Sequence, residues 1–169
     1  EFTKQQWDEL DAYCQSKNFC YWASAWDEAS VDFLAQYNVP CFKIASACLT
    51  DDNLLKHHRQ YKKPIILSTG MSTIPQIDRA VDILGTDDLI LLHCCSIYPA
   101  RSEQLNLKVI ETLRRRYGLN VGYSGHEVGL ATTVAAVAFG AVMIERHLTL
   151  DRSIFGSDQS ASVESHGFH

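Results

Sequence analysis

The chain has 169 residues, 46% of them hydrophobic, and a formal net charge of -5, enough to bury one sizeable core and short enough to read as one domain. No apolar stretch reaches the roughly 20 residues of a membrane span, and the main cationic run, Arg114, Arg115 and Arg116, falls late in a helical pattern where it solvates a face and complements the helix dipole, so membrane and nucleic-acid partners are argued against. Six cysteines (14, 20, 41, 48, 94 and 95) form no CxxC and read as reduced thiols of a cytoplasmic protein.

In chain order, EFTKQQWDEL reads as the beginning of a helix already inside a domain. Short β-branched or aromatic runs ending in polar residues then recur: NFCYWAS (18–24), PCFKIAS (40–46), KPIILSTG (63–70), LILLHCCS (89–96), NVGYSGH (120–126) and AVMIERHLT (141–149). Each is followed by a helical pattern. After Thr73, a plausible N-cap, Ile77, Ala80, Val81 and Leu84 share one face and Gly85 is the stop. From Asn106, Val109, Ile110, Leu113 and Tyr117 do the same, and Gly118 ends the run. Strand starts spaced by roughly 20 to 30 residues suit successive β-loop-α units.

Near-continuous apolar strands alternating with helices indicate a parallel sheet covered on its outside. A doubly wound sheet would show a Gly-rich phosphate turn, and neither GxGxxG nor GxxxxGK[ST] occurs. In a closed barrel all strand mouths face one site, and here all six runs end in reactive or phosphate-friendly types: Ser24, Lys43 with Ser46, Ser68 with Thr69, His93 with Ser96, Ser124 with His126, and Glu145 with His147. A (β/α)8 TIM barrel in the α/β class is therefore expected, incomplete because six units stand where eight are needed, with the gap at the N-terminus.

Three histidines, His93, His126 and His147, end the last three strands, and two or three of them could share a metal. One such histidine is more often structural, but a pair on adjacent strands is better evidence than either member. Glu145, two residues before His147, lies on the same strand face and could ligate, orient a ligand or pair with a lysine. Asp158 is a further oxygen donor or the start of an Asx turn. Lys43, in a strand buried on both faces, needs an anion, and with Ser24, Ser46, Ser68 and Ser124 it lines a mouth suited to phosphate or carboxylate. His57 and His58 are expected to be solvated, the three tryptophans to pack, and His166 and His169 to lie in a tail.

SVDFL, VPCFKIAS, KPIILSTGM, LLHCCSIYP, GYSGHE, IERHLTLDR and GSDQSAS, in that order over nearly the whole chain, resemble the sialic acid synthase family, which condenses phosphoenolpyruvate with N-acetylmannosamine or its 6-phosphate. The resemblance implies a (β/α)8 barrel followed by an antifreeze-like domain, with residues 1–169 supplying strands three to eight of the barrel domain and the second domain lying outside them. It implies a divalent metal (Mn²⁺, Mg²⁺ or Co²⁺) on His126 and His147, leaving His93 beside the site. Phosphoenolpyruvate would be held by Ser24, Lys43, Ser46, Ser68 and Ser124, and the amino sugar would meet Ser96 and Tyr98. Lys43, Glu145 and Asp158 are the candidate catalytic residues, Asp158 beside the metal. A homodimer is implied for the full-length protein, and the isolated chain is expected not to turn over, because family residues on strands one and two are absent from it.

Gln159 stands where many members carry histidine, and Ala47-Cys48 replaces a common Gly-acidic pair. The rival readings are another divalent-metal barrel enzyme, whether a hydrolase or a related nonulosonic acid synthase, and a non-catalytic sugar-binding fragment.

Overall fold

The computed structural model describes residues 2–168. Helix α1, Lys4–Ser16, begins at a reciprocal cap in which the Thr3 hydroxyl accepts from the Gln6 N–H at 3.3 Å and the Gln6 side chain accepts from the Thr3 N–H at 2.8 Å. Its Trp7 ring packs against Phe33 and Tyr37, with centroids 5.8 and 6.1 Å away. Helix α2, Glu28–Ala35, follows a cap by Asp27. Then strands and helices alternate: β1 Phe42–Ile44, α3 Asp52–Gln60, β2 Ile65–Ser68, α4 Ile74–Leu84, β3 Leu89–Cys94, α5 Val109–Tyr117, β4 Asn120–Gly125, α6 Ala131–Ala138 and β5 Ile144–Arg146. Thr73 caps α4 as expected, with the Gln76 side chain accepting from its N–H, and Gly118 ends α5 in the left-handed conformation that a side chain would resist.

The five strands form one sheet in the order β1-β2-β3-β4-β5, every neighbouring pair parallel. A sheet in which each strand lies beside its successor has no switch point, so it is a run of barrel staves and not a doubly wound sheet. One face packs on the helices: Phe42, Ile44, Leu67, Leu91 and Val121 meet Leu54, Leu55, Ile77, Val81, Ile110 and Leu113 in one cluster. The opposite face carries a small cluster of Cys41, Ile66 and Leu92, and above it the polar strand ends converge. Beyond β5, Leu148–Thr149 (β6) and Val163–Glu164 (β7) pair in parallel as a separate two-stranded sheet.

Five expectations are corrected. NFCYWAS makes only one isolated bridge, Ser24 to Lys43, because Phe19 and Trp22 are exposed and nothing buries the run as a strand. AVMIERHLT breaks between β5 and β6 at His147. Helix α5 starts at Val109, since Asn106 sits at φ 46°, outside helical geometry. His58 is not solvated: it is fully buried on the apolar face of α3, its Nδ1 is 2.9 Å from the Leu54 carbonyl and its ring stands edge-on to Phe42, while His57 pairs with Asp32. Of the tryptophans, Trp7 packs but Trp22 and Trp26 are largely exposed. His169 lies outside the described residues. Among the described residues no helix is long and apolar enough to cross a membrane, and all six cysteines are free.

Candidate active site at the strand ends

Pleat alternation decides which side chains reach the inner mouth. On β1, Phe42 and Ile44 face the helices, so Lys43 faces inward; on β2 and β4 the same alternation turns Ser68 and Ser124 inward. Lys43 is buried, and its ammonium donates to the Ser68 hydroxyl at 2.8 Å and to the Ile44 carbonyl at 3.3 Å. Its anion is Glu145, whose Oε2 lies 3.7 Å from Nζ, while Oε1 of the same carboxylate accepts from the Ser124 hydroxyl at 2.8 Å. A continuous chain therefore runs Ser68, Lys43, Glu145 and Ser124, whose Oγ lies 3.5 Å from His126 Nε2. Of the three uses the sequence left open for Glu145, pairing with lysine is the one adopted.

The two histidines face each other, ring centroids 5.2 Å apart and planes at 69°. His126 Nδ1 lies 2.7 Å from the Cys95 carbonyl, an acceptor only, so that nitrogen carries the proton and Nε2 keeps its lone pair toward the mouth. Burial holds His126 below the usual imidazole range, assisted by His147 and opposed by the Cys95 carbonyl, which keeps the ring neutral and ligand-competent. His147 places Nδ1 3.4 Å from Asp158 Oδ2, leaving its Nε2 free of that carboxylate. Tyr98 lies over His126 at 4.1 Å and edge-on to His147 at 5.5 Å. Burial first, then nearby anionic groups, push its phenol up to about 12, so it remains a hydroxyl donor at neutral pH.

Among the described residues no three His, Cys, Asp or Glu side chains form a ready metal cage. The donor set is two facing imidazoles with a carboxylate beside one of them, which fits a divalent cation that takes its remaining ligands from oxygen.

Ser46 and Ser96 gather around the turn after β2. Ser46 Oγ accepts from the Gly70 N–H at 2.9 Å and lies 3.2 Å from Cys94 Sγ. A Cβ on Gly70 would fall 2.2 Å from Ser96 Oγ and 2.7 Å from Cys94 Sγ, so only glycine allows these groups to close on one point. Gly70 and Cys94 escaped the sequence reading; a glycine directly after a Ser-Thr strand end was the available signal. Ser24 is joined to the site through its bridge to Lys43. His93 is turned away, with Nε2 2.7 Å from the Leu105 carbonyl and its ring near Tyr123. It lines a cavity of about 720 Å³ between β3, α4 and α5 that meets the mouth at Cys94 and Ser96.

The NeuB family model matches residues 1–169. The chain is 42% identical over 168 residues to an N-acetylneuraminate-9-phosphate synthase of Drosophila melanogaster, covering 97% of the chain and 45% of that protein. It is 38% identical over 161 residues to an N,N'-diacetyllegionaminic acid synthase of Campylobacter jejuni, covering 92% of the chain and 48% of that protein. The chain thus spans about half the length of the curated relatives it matches. Its fold superposes on a crystal structure of the N-acetylneuraminic acid (sialic acid) synthetase of Leptospira borgpetersenii serovar Hardjo-bovis with a TM-score of 0.92 at 36% identity, covering 97% of the chain and 58% of the other.

Proposed function

The chain belongs to the NeuB family, and from that premise we propose that its strand-end mouth is the phosphoenolpyruvate and metal half of a sialic acid synthase, joining phosphoenolpyruvate to N-acetylmannosamine or its 6-phosphate. The observation that carries this reading is the single mouth in which one carboxylate, Glu145, holds a buried, serine-bonded lysine and the Ser124 hydroxyl beside two facing imidazoles.

In the reaction, C3 of phosphoenolpyruvate bonds to the sugar's aldehyde carbon, water adds at C2, and the tetrahedral intermediate expels phosphate. Lys43, Ser68 and Ser46, with Ser24 and Ser124, hold the phosphate and carboxylate, lowering the barrier by positioning and preorganised charge. Glu145 keeps the Lys43 ammonium aimed into the mouth and meets the attacking region from the histidine side. Ser96 and Tyr98 hold the amino sugar by hydroxyl contacts. A divalent cation, Mn²⁺, Mg²⁺ or Co²⁺, held by His126 and His147 with Asp158 alongside, would supply Lewis acidity toward the aldehyde oxygen.

The five-stranded sheet, with the bridged segment before it, corresponds in this reading to strands three to eight of a (β/α)8 barrel, and residues 1–169 to part of the synthase barrel domain of a cytoplasmic homodimer with an antifreeze-like domain beyond it. The sequential parallel order supports the barrel, and six free thiols suit a reducing compartment. The relatives make both acetylneuraminate and diacetyllegionaminate products, so the sugar is placed by class, an N-acyl aldose.

The test is calorimetric titration of Mn²⁺ and of phosphoenolpyruvate into the chain, with phosphate release assayed in the full-length protein. Expected are Mn²⁺ binding lost in His126→Ala and in His147→Ala, phosphoenolpyruvate binding lost in Lys43→Ala with Mn²⁺ binding kept, and phosphate released only with both substrates present. Phosphate release without the N-acyl aldose, or Mn²⁺ binding unchanged in both histidine variants, overturns the assignment.

A further inference from the structure

The residues following His126 and preceding His147 point to the other side of the sheet, and they meet there. Glu127 and Arg146 form an ion pair at 3.2 Å whose side chains are only 4% and 2% exposed. Its neighbours reinforce it at every polar atom except Arg146 Nε, which is buried without a partner among the described residues. The Tyr123 hydroxyl donates to Glu127 Oε2 at 2.8 Å, and the Thr133 hydroxyl donates to Oε1 at 3.1 Å. Arg146 Nη1 donates to Thr133 Oγ1 at 2.7 Å and to the Gly129 carbonyl at 2.9 Å; Nη2 donates to the Glu127 carbonyl at 2.7 Å and the Ala161 carbonyl at 3.3 Å. The guanidinium thus ties β5 to the loop after β4, to α6 and to the segment before β7, while Ala100 N–H donates to the His126 carbonyl at 2.9 Å from the other side.

The backbone hydrogen bonds of β4 and β5 end where the histidines begin: the last register pair is Gly125 with Arg146. Past that point ladder bonding does not set the gap between His126 and His147. The charged contact directly behind them spans it, while backbone bonds tie His126 outward to Ala100 and His147 to Val163.

We propose that the buried Glu127–Arg146 pair is a clamp that fixes the spacing of His126 and His147, and through it the affinity of the site for a divalent cation. The second half rests on the reading of the histidines given above; the first half does not. Carboxylates and other groups behind metal-binding histidines typically change metal affinity by about 10- to 100-fold when removed, and a fork-shaped guanidinium bonded to several carbonyls at once is suited to fixing two strand ends in place. Glu127 and Arg146 are positioning residues; neither touches the mouth.

The experiment uses Glu127→Gln, Arg146→Lys and the milder Thr133→Val, which removes only the hydroxyl shared by the pair. Two readouts are taken: the nuclear Overhauser cross-peak between the His126 and His147 ring protons in metal-free protein, and Mn²⁺ affinity by calorimetry. Leu91→Ala, destabilised through the core without removing any hydrogen bond of the pair, is the control. Expected are a weakened cross-peak and Mn²⁺ affinity reduced about 10- to 100-fold in Glu127→Gln and Arg146→Lys, a smaller change of both in Thr133→Val, and an unchanged cross-peak in Leu91→Ala. A cross-peak equal to the parent's in the folded variants, or one equally lost in Leu91→Ala, overturns the clamp. A parent chain that shows the cross-peak effects and binds no Mn²⁺ overturns the metal reading and the affinity half, leaving the spacing half upheld.

Discussion

The two ends of the sheet are held together by different physics. In β1, β2 and β3 every residue except Ile90 is buried, and apolar contact with α3, α4 and α5 fixes the strands. In β5 the one buried side chain is the charged Arg146 and no apolar residue is buried: Ile144 is 36% exposed, and Val142 and Leu148 on either side of the strand are more open still. Yet the site draws Lys43, Ser68 and Ser46 from the first end and His126, His147 and Glu145 from the second. The difference teaches that the histidine end must be placed by polar contacts, the Glu127–Arg146 network outside and the Lys43–Glu145–Ser124 chain inside, where the lysine end is placed by packing. Directional bonds can fix a distance as well as a core can, but each is worth only about 1 kcal/mol net unless charged.

The sharpest way to break this comparison is a matched pair of truncations. Leu91→Ala, at a fully buried position, is expected to cost about 2–5 kcal/mol by lost transfer energy and the cavity left behind. Ile144→Ala on β5 is expected to cost about 1 kcal/mol or less. Urea unfolding of both measures the gap; equal losses would show that β5 is packed as tightly as β3.

Next in size is the inner link between the two ends. Glu145→Gln leaves the buried Lys43 ammonium with Ser68 and the Ile44 carbonyl but no counter-charge, at an expected cost of about 1–2 kcal/mol, moderated because Glu145 itself is partly exposed. Adding Lys43→Met should cost less than the two single changes added together, with a coupling of about 0.5–3 kcal/mol in a double-mutant cycle. Strict additivity would mean that the pair at 3.7 Å does not join the sheet ends energetically.

Much of this was legible in the sequence wherever one residue type answers one local demand. Thr73 and Gly118 mark helix ends through unpaired backbone groups, and Lys43 announces itself because a buried ammonium must find an anion. The same logic, charges in a sheet covered on both sides, would have found Glu127 and Arg146, but beside histidines they were read as part of the motif and their opposite facing was overlooked. NFCYWAS has strand composition and makes one bridge, because composition does not say whether a neighbour is there to bury it. His58 was misread from the charges around it; its spacing of four from Leu54 put it on the apolar stripe.

That misread histidine gives the smallest expected effect and the last way to sharpen the contrast, through pH. Burial lowers His58 and His93, both at the packed end, below the imidazole range, each opposed only in part by a backbone carbonyl. In the unfolded chain both titrate near the ordinary value of about 6.5. As pH falls through that value the unfolded state takes up the protons first, so it binds more protons than the fold and the fold loses stability. The stability these two sites lend is complete above about pH 6.5 and declines below it, by at most about 1.4 kcal/mol per pH unit for each histidine. His126, at the open end, is lowered in the same direction. The depressed carboxylates, Asp32, Asp52 and Asp78 among them, act in the same sense only at lower pH, because their unfolded values lie near 4. Urea unfolding between about pH 8 and pH 5 should therefore show stability falling as the solution is acidified through the imidazole range, and His58→Leu should flatten that slope, by at most about one proton. A slope unchanged by the substitution would mean that the α3 face opens in the native state and lets His58 titrate freely, and the packed end would then be less rigid than its burial implies.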